Sequence, residues 1–315
     1  MVRYKDTYKI KSYKNSSGTA FHFDFAQCGA AVRAAFTDGD KIFEDYCPFY
    51  AVKFADLKNQ EAELEKFLIE AEKFIHAPLI EPGQYKVVLS PEITGVFVHE
   101  SFGHNSEADG MIGDPEAKNL WQLGKKVAAD FISIVDSGNH SDGSGYCPID
   151  DEGCLATKTY LIKDGILAGR LHSFDTAVEM DERPTGNGRA IDFEYEPIVR
   201  MTSTYIENGQ GSLEDLFKKA EGGIYINSYN YGTGSSLFTI APARAYRIKD
   251  GKPAIPVRAN VISGQVFETL LNIEAIANDF EFKHSALGGC GKKDQFPLPV
   301  ADGGPTILVK DMQVS

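Results

Sequence analysis

The segment 96–104 constrains the fold more than any other part of the chain, because it places two histidines and a glutamate within six residues. On a regular α-helix, side chains five positions apart point about 140° away from each other. His99 and His104 can therefore face one partner only if the helix widens into a π-turn, whose backbone hydrogen bonds close from residue i to i+5. Gly103 would let the backbone loosen there. The spacing predicts a π-turn around residues 101–103.

The same three side chains are typical of a metal site with a general base. In zinc peptidases with the HExxH motif, two histidines one helical turn apart hold the metal, and the glutamate is the general base. Here His99, Glu100 and His104 form HExxxH, which is one residue longer. A His-Glu pair with a second histidine nearby also occurs by chance. The motif alone therefore indicates a metal site only if the chain supplies a further ligand.

Cys290 is the candidate for that ligand. It lies among glycines in the segment 286–295, and glycines let a backbone approach a neighbour closely. A thiolate is a suitable third zinc ligand beside two histidines and leaves the fourth position open for water. The alternative is that Cys290 is a small buried side chain in a tight turn.

Composition excludes several classes of protein. The chain has 315 residues, 43% of them hydrophobic, which is enough for one large domain or two. Its formal net charge of −13 argues against nucleic acid as the main partner, because phosphate binding needs a basic surface. It has no apolar run long enough for a membrane span and no apolar segment near its start that predicts a secretory signal. Five irregularly spaced cysteines indicate reduced thiols, so we expect the protein in the cytoplasm.

The pattern of apolar and turn residues predicts an α+β fold that is rich in antiparallel strands. Residues 1–50 are strand-like, 57–75 have helical periodicity, and a domain boundary is expected near 80. A short α/β N-terminal portion (1–80) would then precede a larger domain (81–315). Asp-Gly pairs at 164–165 and 250–251 predict two hairpins. Further helices are predicted over 213–220 and 266–278.

Several ordered motifs resemble the TldD/PmbA family of metallopeptidases, on its TldD side. The resemblance covers about residues 80 to 310. Gly95–Asp109 is similar to the family's GVxxHExxGHxxEGD, with Ala108 where the family usually has glycine. The other matching segments are Pro184–Arg189 (PTGNGR), Arg200–Tyr205 (RMTSTY, family RMTNTY), Gly264–Leu270 (family SGxxETL), Cys290–Lys292 (CGK) and Gly304–Thr306 (family GxPT).

The resemblance implies that His99, His104 and Cys290 bind one zinc ion per chain, with Glu100 as the base. It also implies a homodimer, or a heterodimer with a PmbA-type chain that lacks the metal motif. A closed chamber would limit the substrates to unstructured peptides. Family members usually carry a longer first domain, so residues 1–80 look like only its later part.

Other polar side chains are weaker candidates. Glu107 and Asp109 are expected to accept hydrogen bonds from a ligand histidine, or to cap a turn. Arg183, Asn187 and Arg189 are candidates for binding the substrate, for example through its carboxylate, and a structural ion pair is the alternative.

The function predicted from the sequence is that of a zinc metallopeptidase. The alternative is a noncatalytic PmbA-like partner subunit, which would lack zinc. Modulation of DNA gyrase is a third possibility, but the net charge argues against direct contact with DNA.

Overall fold

The N-terminal part of the chain is an antiparallel sheet of three long strands. The structure is a computed structural model that describes residues 1–315. The strands are β1 (Val2–Lys14), β2 (Ala20–Asp38) and β3 (Lys41–Ala51). β2 is central and pairs with β1 on one side and β3 on the other. The prediction of strands and turns over residues 1–50 is confirmed.

Helix α1 (Glu61–Glu72) covers part of this sheet and is shorter than the predicted 57–75. A 3₁₀ turn, Phe54–Leu57, comes first, and Asn59 has a φ of 60° that no α-helix accommodates. The helix α1 therefore begins only after Gln60. The buried face of α1 joins a small, mostly aromatic core between the helix, the sheet and a later strand. The members of this core are Phe43, Phe67, Ala71, Phe74 and Tyr246.

The rest of the chain alternates short helices with strands. In order they are β4 (Gly83–Leu89), α2 (Pro91–Val98), α3 (Pro115–Leu120), β5 (Ile134–Ser137), β6 (Lys158–Lys163), β7 (Ile166–Leu167), α4 (Phe174–Met180), β8 (Gly188–Arg189), β9 (Ile198–Val199), β10 (Ser203–Ile206), α5 (Leu213–Lys219), β11 (Ile224–Gly234), β12 (Leu237–Lys249), β13 (Lys252–Val257), β14 (Ile262–Gln265), α6 (Val266–Leu271), β15 (Ile273–Ile276), β16 (Glu281–His284), β17 (Cys290–Lys292), β18 (Gln295–Leu298), β19 (Ala301–Gly304) and β20 (Ile307–Val314).

Two larger sheets enclose the main core. One has the order β16-β19-β10-β5-β6-β7, and the other has the order β11-β4-β20-β14-β12-β13. β11 also pairs with β12, which closes part of the second sheet on itself. Most pairings are antiparallel, as predicted, but β10–β19 and β11–β4 are parallel. α2 packs between the two sheets, and its buried residues join the main core.

Both predicted Asp-Gly hairpins are confirmed. Asp164 and Gly165 connect β6 to β7, and Asp250 and Gly251 connect β12 to β13. All four residues have positive φ values, which a type I′ turn requires. None of the helices combines the length and the apolar character needed to cross a bilayer.

The predicted helix over 266–278 is wrong in its second half. α6 ends at Leu271, and the chain continues as β15. Ile273 and Ile276 pair with Val309 and Ile307 of β20 and are buried there. The helix predicted over 213–220 is confirmed as α5, and the Ser212 hydroxyl accepts the Asp215 amide at its N-terminus.

Candidate metal centre

Helix α2 brings His99 and His104 to one side of a widened turn. Ser90 caps the helix through the amide of Ile93, and Pro91 occupies its first turn. The helix continues without interruption into a π-helical turn over His99–Gly103, and the amide of His104 donates to the carbonyl of His99. That bond spans five residues. The predicted π-turn is therefore confirmed, and the imidazole centroids lie 5.1 Å apart.

Side chains stabilise the backbone at the end of the widened turn. The side-chain amide of Asn105 donates to the backbone carbonyl of Ser101 at 2.7 Å, and the hydroxyl of Ser106 donates to the backbone carbonyl of Gly103 at 2.8 Å. These bonds satisfy carbonyls where the regular helical pattern is interrupted. Gly103 is needed for a further reason, since a Cβ atom there would collide with the sulfur of Met201.

Cys290 reaches the two histidines from the far end of the chain. It begins β17, which pairs with β18 in a short hairpin. The guanidinium of the fully buried Arg200 donates to the carbonyl of Cys290 at 2.7 Å and so fixes the hairpin. The sulfur of Cys290 lies 3.4 Å from Nε2 of His104, and the ligand atoms of Cys290, His99 and His104 all lie within 4.8 Å of one another.

The environment of Cys290 favours the thiolate. Burial alone would raise the pKa of this thiol, but hydrogen bonds from His104 and His99 lower it to about 5. Burial opposes the charged form of His104 as well, yet the thiol and Glu107 raise the pKa of His104 to about 10. Nitrogen and thiolate sulfur are preferred zinc donors, and three protein ligands are usual in catalytic sites. The three side chains therefore fit a zinc ion.

Glu107 lies behind His104, where the sequence predicts an acceptor. Its Oε2 is 3.2 Å from Nδ1 of His104 and 3.0 Å from the ammonium of Lys292. Burial would raise the pKa of Glu107, but these two neighbours lower it. Asp109 does not contact the histidine; its carboxylate is 2.6 Å from Lys292. The arrangement links the CGK segment to the histidine through one carboxylate.

Glu100 projects from the same turn and is held by strand β11. Its backbone and side chain pack against Gly232 and Gly234, where a Cβ atom would come within 2.9 Å of Val96 and 2.4 Å of the Glu100 carbonyl, respectively. Burial raises the pKa of the Glu100 carboxyl, and the neighbouring His99 and His104 lower it in part. Glu100 as a whole is half-buried.

The three predicted substrate-binding side chains take different positions. Asn187 is buried and donates to Asp136 and to the carbonyl of Arg200, both at 2.9 Å. Arg189 is also buried and donates to the carbonyls of Met201 and Pro299. The hydrogen-bond donors of both side chains are therefore occupied by the protein itself, near Cys290. This favours a structural role over substrate binding.

Arg183, the third candidate, is exposed and does not share the buried contacts of Asn187 and Arg189.

Arg200 and Lys292 have contacts at the site that the sequence did not predict. Both lie in segments that match family motifs, RMTSTY and CGK, but the motifs do not show which atoms they touch. Arg200 holds the carbonyl of Cys290, and Lys292 holds Glu107. A buried arginine or lysine needs such partners, because an unpaired buried charge is costly.

A cleft of about 990 Å³ lies between the N-terminal sheet and the larger part of the chain. Tyr46 and Tyr50 line it from β3, and Tyr229 and Tyr231 line it from β11. Directly after Tyr231 in β11, Gly232 and Gly234 lie against Glu100. β11 therefore connects the wall of the cleft with the candidate base.

Comparison with known proteins identifies a family over most of the chain. Residues 82–315 match the sequence model of the PmbA/TldA metallopeptidase C-terminal domain. A metalloprotease from Synechocystis is 41% identical over 262 residues, which are 83% of this chain and 56% of that protein. A zinc metalloprotease TldD homolog from Saccharolobus solfataricus is 30% identical over 99% of this chain and 70% of that protein. The chain thus spans between about half and about two thirds of the length of these relatives.

Two solved structures share the fold. A candidate modulator of DNA gyrase from Thermotoga maritima superposes with a TM-score of 0.80 at 24% identity, over 100% of this chain and 68% of that one. TldE from Thermococcus kodakarensis superposes with a TM-score of 0.77 at 17% identity, over the same shares of the two chains.

Proposed function

The chain belongs to the PmbA/TldD metallopeptidase family, and from that premise we propose that it is a zinc peptidase of the TldD branch. The observation that carries the proposal is the gathering of His99, His104 and Cys290 beside Glu100. A noncatalytic partner subunit would have no use for this set of ligands and base.

Each residue of the site has a defined task in peptide hydrolysis. His99, His104 and Cys290 would hold the zinc, and Glu107 would keep Nε2 of His104 directed at it by hydrogen bonding Nδ1. When bound, zinc lowers the pKa of a coordinated water to about 7 and polarises a carbonyl group. Glu100 takes the proton from the attacking water and delivers it to the leaving amine. Its half-buried position supports this task, because a raised carboxyl pKa improves proton delivery.

The substrate is proposed to be an unstructured peptide. The cleft of about 990 Å³ has room for a peptide segment, and the tyrosines of β11 and β3 lie in its wall among charged side chains. β11 then leads the peptide toward Glu100. We place the protein in the cytoplasm, as a homodimer or paired with a PmbA-type chain. Analytical ultracentrifugation of the purified protein, alone and mixed with such a chain, tests the pairing.

The Glu100→Gln variant tests the proposed chemistry. Glutamine keeps the size and hydrogen bonding of Glu100 but cannot accept a proton. We expect zinc content to be unchanged and hydrolysis of an unstructured peptide to fall by roughly two to four orders of magnitude. Glu65→Gln, on the exposed face of α1, is the matched control and should retain full activity. Wild-type turnover by Glu100→Gln would mean that another group activates the water.

A further inference from the structure

A second, smaller cavity adjoins the metal centre on the side of His104. It has a volume of about 110 Å³ and is partly open to solvent. His104 and Glu107 form one part of its wall. The remaining wall is mostly apolar and is formed by Met111, Ala117, Leu120, Trp121, Val266 and Phe267. The cavity therefore begins at a candidate zinc ligand and extends into an apolar surface.

The apolar wall is held in place by packing. The rings of Phe102, Trp121 and Phe267 contact one another, with centroids 5.9 to 6.0 Å apart. The indole of Trp121 donates to the carbonyl of Gly169 at 3.1 Å. Trp121 is almost fully buried, so its ring cannot move to close the cavity without loss of this core contact. The aromatic side of the cavity is therefore held in a fixed position.

Two polar side chains of the wall are already engaged in hydrogen bonds with the protein. Asn105 donates to the carbonyls of Ser101 and Ser235, and Gln265 caps α6 through the amide of Glu268. Glu107 is 2% exposed, and its Oε1 has no hydrogen-bond partner. The six apolar side chains of the wall favour a ligand that is apolar in its body.

We propose that this cavity is a specificity subsite that receives a medium-sized aliphatic side chain from a substrate residue next to the scissile bond. An apolar cavity of about 150 Å³ holds a benzene molecule. The present cavity is smaller, so leucine, isoleucine or methionine fit and an indole does not. The inference rests on the proposed peptidase function, because it takes the scissile bond to lie at the zinc.

Two measurements on one peptide series test the subsite. The peptides share a glycine- and alanine-based sequence with a single variable residue: glycine, alanine, leucine, methionine, phenylalanine, tryptophan or lysine. Zinc-loaded wild-type protein is assayed for hydrolysis, and zinc-loaded Glu100→Gln protein is assayed for binding by fluorescence anisotropy. We expect leucine and methionine to exceed glycine and tryptophan by about tenfold or more in both measurements, the usual worth of an apolar pocket.

Variants of α3 connect the preference to the cavity. Ala117→Phe would fill it, and Ala117→Leu is a milder filling that preserves the fold if phenylalanine does not. Both should lower binding and hydrolysis of the leucine peptide about tenfold relative to the glycine peptide, with zinc content unchanged. Lys118→Phe adds the same ring at an exposed neighbouring position and should leave the preference intact.

The outcomes separate the subsite from the proposed function. Hydrolysis with no dependence on the variable residue, or equal losses for all peptides in both Ala117 variants, would overturn the subsite and leave the peptidase proposal standing. Absence of hydrolysis by zinc-loaded wild type would overturn the peptidase proposal and the subsite with it. An aliphatic preference that disappears only in the Ala117 variants would support both.

Discussion

At the scale of single residues, Lys292 is the least expected part of the metal centre. Its ammonium contacts Glu107, Asp109 and the carbonyl of Val199. Through Glu107 it acts on His104, so the CGK segment supplies one candidate ligand directly and orients another. Carboxylates that orient ligand histidines are commonly worth a large factor in metal affinity.

Replacement of Lys292 by methionine should weaken zinc binding. The variant would leave Glu107 buried with His104 as its only hydrogen-bonding side chain, and the carboxylate would orient Nδ1 of His104 less firmly. We expect zinc affinity, measured by competition with a chelator, to fall about 10- to 100-fold. Lys293→Met changes the exposed neighbouring lysine and is the control. Equal affinities of the two variants would show that Lys292 plays no part in orienting His104.

The candidate ligands were predictable from sequence, but their supports were not. His99, Glu100 and His104 lie within one motif, and the donor chemistry of Cys290 suggested the third ligand. Arg200 and Lys292 act through backbone carbonyls and a carboxylate that are distant in sequence. The sequence predicts Asn187 and Arg189 only as candidates for substrate binding, because their burial, which favours the structural alternative, cannot be read from a polar motif.

At the scale of elements, the π-turn depends on close packing against Met201, in the segment between β9 and β10. Gly103 lies against the fully buried side chain of Met201, where a Cβ atom does not fit. The spacing of the histidines predicted the widened turn, since only that geometry lets both face one ion. The role of Met201 could not be predicted, because it arises from a contact between segments about one hundred residues apart.

A double-mutant cycle on Gly103 and Met201 tests this packing. Gly103→Ala should lower the free energy of unfolding by about 1 to 3 kcal/mol, the usual cost of overpacking. Met201→Ala should also be destabilising, because it leaves a cavity. The double variant should cost less than the sum of the two single changes, since each relieves the other. Strict additivity in urea unfolding would show that the two residues do not compete for space.

The predicted length of α6 was wrong because the pattern of apolar residues after Leu271 fits a helix and a strand equally well. Ile273 and Ile276 are three positions apart and fit a helical pattern as well as a buried strand. Pairing with β20 decides between them, because it buries both side chains and satisfies the backbone in a sheet. Local periodicity carries no information about that partner strand.

At the scale of the whole molecule, the N-terminal sheet and the larger part of the chain meet at His284. Its ring packs on Tyr50 of β3 at a centroid distance of 4.4 Å, and its Nδ1 accepts the amide of Ser144. Burial lowers the pKa of His284 to about 4, with Asp142 opposing the shift and Lys283 and His140 adding to it. The folded protein therefore holds this histidine neutral in weakly acidic solution.

Acidification should destabilise this junction. Between pH 6.5 and 4 the unfolded chain binds a proton at His284 that the folded chain does not, so the free energy of unfolding declines as the pH falls. Above pH 6.5 this contribution is constant. In His284→Gln the decline over the same window should be smaller, whereas His22→Gln, an exposed change on β2, should leave it as in wild type. Identical pH dependence of wild type and His284→Gln would contradict the assignment.

His99, His104 and Cys290 together are proposed to form one zinc site, and the zinc content of the protein tests this most directly. Elemental analysis of the purified protein at neutral pH should give one zinc per chain. Cys290→Ala should lose most of this zinc while circular dichroism shows the fold retained, and Cys154→Ala should keep it. A wild-type chain without zinc after zinc loading, or a Cys290→Ala variant with unchanged zinc, would contradict the account.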